Sequence, residues 1–222
     1  FESAIKSAKR FTYEEVEAIL RGEDSTLVPP ETNHVVREMG VLARLLRKKR
    51  FARGSLDFDF PEPDVITDPH GRPIDIRQRE RLESHRLIED FMLLANETVA
   101  THMRNFPFIY RIHEKPDPAK LALLRVSLSA AGIPIPQGFD GGKPSALQQV
   151  LQSSIGKPAQ PMVQMMILRS LKQAVYSEKN AGHYGLASEC YTHFTSPIRR
   201  YPDLIVHRIL KDMFHNRLHG LE

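Results

Sequence analysis

Apolar residues recur at three- and four-residue steps along much of the chain, which is the spacing of helices with one buried face. The stretch TYEEVEAIL predicts a helix with Thr12 as its N-cap and Glu15 in the capping-box position. The longest predicted helix runs from Arg79 to about Asn105. Its predicted inward positions include Leu87, Phe91, Leu94 and Val99. Further helices are predicted over 34–50, 117–131, 144–154 and 160–175.

Alternation of apolar and polar residues predicts a smaller amount of β-structure. Short strands are predicted over 56–60, 64–67, 107–114 and 183–188, with a turn at Pro69-His70-Gly71. The Pro- and Gly-rich segment 132–144 is interpreted as a loop and not as a domain linker, because its flanks have similar compositions. The sequence therefore predicts a helix-rich α+β fold, a sheet flanked by helices, in one compact unit.

Composition adds a basic charge to this picture. The 222 residues are 41% hydrophobic, enough for a core, and carry a net charge of +4, which suits a nucleic-acid partner and also many unrelated enzymes. The single cysteine, Cys190, excludes an internal disulfide framework and suits a reducing compartment, so we expect a cytoplasmic protein. No apolar run approaches the roughly 20 residues of a membrane span, and nothing near Phe1 is typical of a signal peptide.

The stretch YTHFTSPIRRYPDLIVHR gives the most specific indication of a ligand site. Ser196 is predicted to cap a helix whose first position is Pro197 and whose buried face includes Ile198. Arg199 and Arg200 would then add positive charge to a helix end that is already positive, which suggests a bound anion such as a phosphate. The alternative is that both arginines form ordinary surface salt bridges, and the local pattern favours neither.

Acidic residues suggest two further candidates. Asp57 and Asp59 would share one face of a strand and could jointly hold a divalent cation, but they are better interpreted as its solvated side opposite Phe58. Glu89 and Asp90 stand in an otherwise apolar helix, where a carboxylate either forms an exposed ion pair or faces a cleft and accepts a ligand hydroxyl.

Aromatic and hydroxyl residues leave similar alternatives. Tyr13 and Phe58 have polar neighbours, and such rings are most often core residues, but single-stranded nucleic acids also stack on them. The ten histidines show no metal-ligand spacing. Ser188 and Ser196 lie near histidines in sequence, which is weak support for a Ser/His hydrolase.

Several segments taken together resemble a known family. HFTSPIRRYPDLIVHR, HRLIEDFMLLAN, RIHEKPDPAKL, MMILRSLKQAVYSEKNAGHYGLA and RFTYEEVEAIL occur in the order and spacing of the RNB catalytic domain of the ribonuclease II/R family. The resemblance runs essentially over 1–222. It implies a hydrolytic, processive 3′-to-5′ exoribonuclease acting on single-stranded and structured RNA.

The resemblance also implies roles for individual residues. Arg199 matches the arginine that touches the phosphate at the cleavage site, and a helix opening at Ser196 would add backbone N–H groups around that phosphate. Arg200 is a weaker RNA contact, because a lysine can stand there in relatives.

Three further matches lie at the other candidate positions. Glu89 matches a glutamate that contacts the terminal nucleotides and helps select ribose, and Tyr13 matches a tyrosine that works beside it. Phe58 matches an aromatic residue that packs against the 3′-terminal base.

The family's metal site is not found among these residues. It binds Mg²⁺ through a D-x-x-x-x-x-D-x-D-D cluster, and we expect that cluster and the cold-shock domains to precede Phe1 and an S1 domain to follow Glu222. The chain is thus expected to be part of an RNB domain whose Mg²⁺ ligands lie elsewhere in the same polypeptide. Its expected partner is the 3′ end of single-stranded RNA, with no small-molecule cofactor and no membrane. The alternative is a non-catalytic, RNA-holding scaffold.

Overall fold

Helices dominate the computed structural model, which describes residues 4–58, 60, 62–78, 80–139 and 141–218. The helices are α1 (Tyr13–Leu20), α2 (Pro30–Ala52), α3 (Glu83–His102), α4 (Pro118–Ala130), α5 (Ser145–Ser154), α6 (Gln160–Ser170) and α7 (Tyr201–Phe214), with a 3₁₀ helix at Tyr184–Leu186. The strands are β1 (Pro63–Thr67), β2 (Pro73–Gln78), β3 (Tyr110–Ile112) and β4 (Val175–Ser177). The predicted helix-rich α+β class is confirmed.

Strand pairing is limited to two antiparallel ribbons. β1 pairs with β2, and the turn between them is closed by Asp68, whose carboxylate accepts the backbone N–H groups of His70 and Arg72. β3 pairs with β4, with Arg111 opposite Tyr176. The turn predicted at Pro69-His70-Gly71 is therefore confirmed.

The first three helices form one packed group. The predicted capping box of α1 is confirmed, because Thr12 Oγ1 accepts the Glu15 N–H at 3.2 Å and Glu15 Oε2 accepts the Thr12 N–H at 2.8 Å. α2 packs on α3 through a buried carboxylate, Asp90, which is only 3% exposed. Asp90 bonds Arg47 Nε and Arg50 Nη2, each at 2.9 Å. Asp90 thus serves helix packing through a buried ion pair.

Apolar side chains form two separate core clusters. One is built from α4, α5 and α6 around Leu128, Leu147 and Ile167, all fully buried. The other joins the end of α3 to β3 and α7 around Met103 and Val206. α3 therefore reaches from the α1–α2 group into the second cluster.

Some predicted elements differ from the structure. Residues 56–58 are extended without strand pairing, and the 183–188 segment forms the 3₁₀ helix and two isolated bridges instead of a strand. α3 begins at Glu83 and not at Arg79, which lies outside the described residues. Leu94, predicted to face inward, is 39% exposed because the buried Asn96 occupies the inner face of the helix there. Of the helices in the described part of the chain, none is long and apolar enough to cross a membrane.

Candidate functional site

Three of the predicted site residues line a single cleft. Tyr13 from the start of α1, Phe58 from the extended segment after α2, and Glu89 from α3 surround a cavity of about 790 Å³. The other residues that line it are Phe60, Glu62, Gln78, Glu80, Arg81, His85 and Arg86. Elements far apart in sequence thus bring a phenol, an aromatic face and a carboxylate together.

The aromatic groups in the cleft are arranged in two pairs. Phe58 stacks on Phe60 with ring centroids 5.8 Å apart and planes inclined by 6°, and Phe58 also packs against the α4–α6 core. Tyr13 packs on His85 with centroids 4.1 Å apart and remains 43% exposed. A planar ligand entering the cleft would therefore meet aromatic faces already held in place.

Glu89 is oriented by an arginine that the sequence analysis did not single out. Arg81 Nη2 donates to Glu89 Oε2 at 2.8 Å, and Arg81 Nη1 donates to Asp57 Oδ1 at 3.1 Å. Burial acts to lower the pKa of Arg81, but the hydrogen bond to Glu89 and the charge of Asp57 outweigh it and raise that pKa. Arg81 stays charged and fixes one oxygen of Glu89.

His85 was also missed, although a signal for it existed. It precedes Glu89 by one helical turn, so the two side chains share a face of α3, and helical spacing from Glu89 could have identified it. Its Nδ1 accepts the N–H of Leu82 at 3.1 Å and so caps the helix. Arg81 precedes the helix and gave no comparable signal.

The predicted helix start at Ser196 is wrong. α7 begins at Tyr201 with Pro202 in its first turn, and the preceding residues 197–199 form a turn. A helix capped at Ser196 would place Pro202 in its interior, where proline lacks an N–H donor and clashes with the preceding turn, and the extended backbone of Arg200 (φ −128°, ψ 116°) separates the turn from the helix. Across this break, Asp203 Oδ1 accepts the Ser196 N–H at 2.8 Å. Ile198, predicted to be buried, is fully exposed.

This start changes the environment of the predicted phosphate contacts. The backbone N–H groups of Ser196, Arg199 and Arg200 are all used within the protein, the last two donating to the Ser196 carbonyl at 3.3 and 3.1 Å. A cradle of free helix-opening N–H groups at Ser196 is therefore not formed.

The two arginines differ in what they contact. Arg200 Nη2 donates to Asp203 Oδ1 at 2.8 Å, so the salt-bridge alternative holds for Arg200. Arg199 is exposed and forms no ion pair with any described side chain. Arg199 is thus the arginine of this segment whose guanidinium remains available to a ligand.

His193, which lies in this segment, is held neutral and is not paired with a serine. Burial, with help from the nearby Arg200 cation, lowers the pKa of His193 to about 4, and its Nδ1 lies 2.8 Å from the Tyr176 hydroxyl. Ser188 Oγ donates to the Cys190 carbonyl. No serine hydroxyl within the described residues bonds a histidine ring, so a Ser/His nucleophile has no geometric basis there.

Carboxylates of the described residues do not assemble a metal site. No group of three or more His, Cys, Asp and Glu side chains suited to a metal is found among them. Asp57 is engaged by Arg81, and Asp59, its predicted partner, lies outside the described residues. These residues therefore do not fit a Mg²⁺ ion.

Comparison with known proteins now decides the family. The RNB domain profile matches residues 1–216. The chain belongs to the RNB family. Ribonuclease R of Aquifex aeolicus is 43% identical over 214 residues, which cover 95% of this chain and 30% of that protein. Ribonuclease R of Escherichia coli is 38% identical over 215 residues, or 95% of this chain and 26% of that protein.

Solved structures of ribonuclease R match the fold as well. The structure of Mycoplasma genitalium RNase R in complex with ribose-methylated single-stranded RNA has a TM-score of 0.85 at 30% identity, covering 91% of this chain and 32% of that one. The same protein in complex with double-stranded RNA also gives 0.85. The chain spans about a third or less of each of these relatives. The predicted resemblance to ribonuclease R, an exoribonuclease and hydrolase, is confirmed.

Proposed function

We propose that this chain is part of the catalytic domain of a processive, hydrolytic 3′-to-5′ exoribonuclease. The enzyme degrades single-stranded and structured RNA to 5′-nucleoside monophosphates in the cytoplasm. The observation that carries the proposal is the cleft in which Tyr13, Phe58 and Glu89 converge within an RNB chain. The RNA complexes of Mycoplasma genitalium RNase R support RNA as the substrate.

The cleft binds the 3′-terminal nucleotide. The base packs on Phe58, whose ring is already stacked on Phe60 and packed against the core, so that little ordering entropy is lost on binding. The Tyr13 hydroxyl and the Glu89 carboxylate bond the 2′-hydroxyl, which is the group that separates RNA from DNA. Arg81 offsets the charge of Glu89, which would otherwise repel an RNA phosphate.

Arg199 contacts the scissile phosphate. Its exposed guanidinium offers two parallel N–H donors to phosphate oxygens, and its positive charge would stabilise the negative charge that develops on the phosphate in the transition state. Ser196 contributes its hydroxyl to RNA binding. Arg200 contributes to RNA binding mainly by holding this segment on Asp203.

RNB exoribonucleases are in general metal-dependent. Because the described residues do not fit a Mg²⁺ ion and the family's D-x-x-x-x-x-D-x-D-D pattern does not occur in 1–222, we assign the Mg²⁺ ligands to a part of the polypeptide outside this chain. "Intact enzyme" below means this chain together with that part. The lack of a suitable group of metal ligands among the described residues also favours a second function for the chain alone, namely an RNA-holding scaffold without hydrolysis.

Product analysis tests the proposal. The intact enzyme should release 5′-nucleoside monophosphates from the first seconds of reaction with RNA that carries a free 3′ end. RNA with a 3′-terminal phosphate is the matched control and should react more slowly, since the terminal cleft is shaped for a ribose with free hydroxyls. Early release of internal fragments would indicate an endonuclease and contradict the proposal.

A further inference from the structure

One helix carries a residue of the cleft and a residue that contacts the Arg199 segment. Glu89 lies on α3 in the cleft, and Asn96 lies seven residues later, about 10 Å along the helix axis. Asn96 is 3% exposed, which is unusual for an amide side chain. Such burial requires that its polar groups find partners.

Both ends of the Asn96 amide bond the segment that leads to Arg199. Its Oδ1 accepts the backbone N–H of Phe194 at 3.0 Å, and its Nδ2 donates to the Tyr191 hydroxyl at 3.0 Å. The Phe194 carbonyl in turn lies 3.0 Å from His207 Nε2 on α7. The chain at Phe194 is therefore held between α3 and α7, five residues before Arg199.

The turn that follows Phe194 carries Arg199, so the position of Phe194 determines the position of Arg199. Ser196 is fixed to Asp203, and its carbonyl accepts the N–H groups of both arginines. A displacement of Phe194 relative to α3 would therefore move the turn as a unit. An apolar side chain could fill the volume of Asn96. It could not hydrogen-bond Phe194, so it could not fix the position of Phe194 along the axis of α3.

We infer that Asn96 is a positioning residue that sets the place of Arg199 relative to Glu89, and so of the scissile phosphate relative to the terminal ribose. This inference rests on the proposed function of both residues. Displacements of about 1 Å can cost on the order of 100-fold in rate, because reacting groups must be held in near-attack geometry. Asn96 itself touches neither the ribose nor the phosphate in this account.

Single-turnover hydrolysis by the intact enzyme tests the inference. Asn96→Ala should slow hydrolysis by roughly 10- to 100-fold while RNA affinity changes less than about threefold. In an Arg199→Ala background the same substitution should slow hydrolysis by less than about threefold, because the group that it positions is gone. Asn96→Asp, which keeps the acceptor for the Phe194 N–H, should recover part of the rate.

Asn33→Ala is the matched control. Asn33 is a buried amide, 1% exposed, that bonds both the N–H and the carbonyl of Ser25 and lies away from the Arg199 segment. Asn33→Ala should lower the free energy of unfolding about as much as Asn96→Ala does, without slowing hydrolysis. If Asn96→Ala does not fold, the experiment uses Tyr191→Phe instead. This variant removes only the bond between Asn96 Nδ2 and the Tyr191 hydroxyl, and it should slow hydrolysis severalfold.

The outcomes separate the inference from the proposed function. If Arg199→Ala slows hydrolysis but Asn96→Ala slows it by the same factor in both backgrounds, Asn96 is only structural and the inference is wrong. An unchanged rate in Asn96→Ala has the same meaning. If Arg199→Ala itself leaves the rate unchanged, the proposed role of Arg199 fails and the inference fails with it.

Discussion

The buried carboxylate of Asp203 accepts the backbone N–H of Ser196 at 2.8 Å. The bond ties Ser196 to α7 across the turn 197–199, and the helix begins at Tyr201 because Pro202 cannot lie in the interior of a helix that opens at Ser196. The same oxygen accepts the guanidinium of Arg200, also at 2.8 Å, which leaves Arg199 as the exposed cation of the turn. The two adjacent arginines should therefore behave differently when each is replaced.

Arg199→Ala in the intact enzyme should lower kcat by about 10²- to 10³-fold, by analogy with the loss of one oxyanion donor. Affinity for long RNA should change little, because many other phosphate contacts carry it. Arg199→Lys should recover only part of the rate, since a point charge lacks the planar fork. Single-turnover hydrolysis and filter binding measure the two quantities.

Arg200→Ala is the neighbouring control for that experiment. It should lower kcat much less than Arg199→Ala does, with circular dichroism used to verify folding. Equal losses of rate and affinity in Arg199→Ala would identify a general RNA clamp and contradict a role in the transition state.

Asp90 and Glu89 are neighbours whose replacement should lower stability by very different amounts. Asp90→Ala removes the carboxylate that Arg47 and Arg50 share. Arg47 keeps its ion pair with Glu83, whereas the buried Arg50 keeps only a 3.8 Å contact with Glu89. Loss of this buried partner should lower the free energy of unfolding by about 3 kcal/mol. Glu89→Ala removes a half-exposed carboxylate and should cost less than about 1 kcal/mol. Urea denaturation of the two variants compares them directly, and equal losses would contradict the division of roles on α3.

Acid should destabilise the fold through His183. Burial, and then the nearby His113 and Arg111, lower the pKa of His183 from the ordinary 6.5 to about 3. Below pH 6.5 the unfolded chain binds a proton at this residue and the folded chain does not, so the free energy of unfolding falls as the pH falls toward 3. One such proton contributes a slope of at most about 1.4 kcal/mol per pH unit.

The test compares urea denaturation of the wild type, His183→Gln and His70→Gln between pH 6.5 and 4.5. His183→Gln should reduce the slope by up to the contribution of one proton and leave the part that His193, whose pKa is also lowered, contributes. His70→Gln, in the exposed hairpin turn, should leave the slope as in the wild type. A slope that is the same in all three proteins would show that His183 protonates equally well in the folded chain.

The 222-residue chain should not hydrolyse single-stranded RNA in the presence of Mg²⁺ or Mn²⁺. Its described residues offer no suitable group of metal ligands, and the scaffold function of the chain alone requires only binding. Thin-layer analysis of labelled nucleotides is the measurement, with the intact enzyme as positive control. Metal-dependent release of monophosphates by the purified chain would place the metal site within it.

Much of the helical framework could be predicted from sequence because it depends on local signals. The capping box at Thr12 and Glu15 and the apolar spacing of α4 and α5 each act within a few residues. The start of α7 was predicted four residues too early, because the prediction took Pro197 as the first helical position and left Pro202 in the helix interior, where proline is not tolerated.

The candidate site was predictable only in part, for a related reason. Tyr13, Phe58 and Glu89 were named from the family resemblance, and their convergence on one cleft is a product of the tertiary fold. Arg81 gave no sequence signal, since its importance comes from its contacts with Glu89 and Asp57. Asn96 gave no sequence signal either, because its role depends on its burial and on its bonds to Tyr191 and Phe194.

Ribose selectivity tests the central claim most directly. The measurement is kcat/KM of the intact enzyme for RNA and for DNA of one sequence, in the wild type and in the Tyr13→Ala/Glu89→Ala double variant. If the two side chains read the 2′-hydroxyl, the double variant should lose most of the preference for RNA, chiefly through slower RNA hydrolysis. An RNA-to-DNA ratio that is the same in both proteins would mean that Tyr13 and Glu89 only support the fold, and it would contradict the account of the cleft.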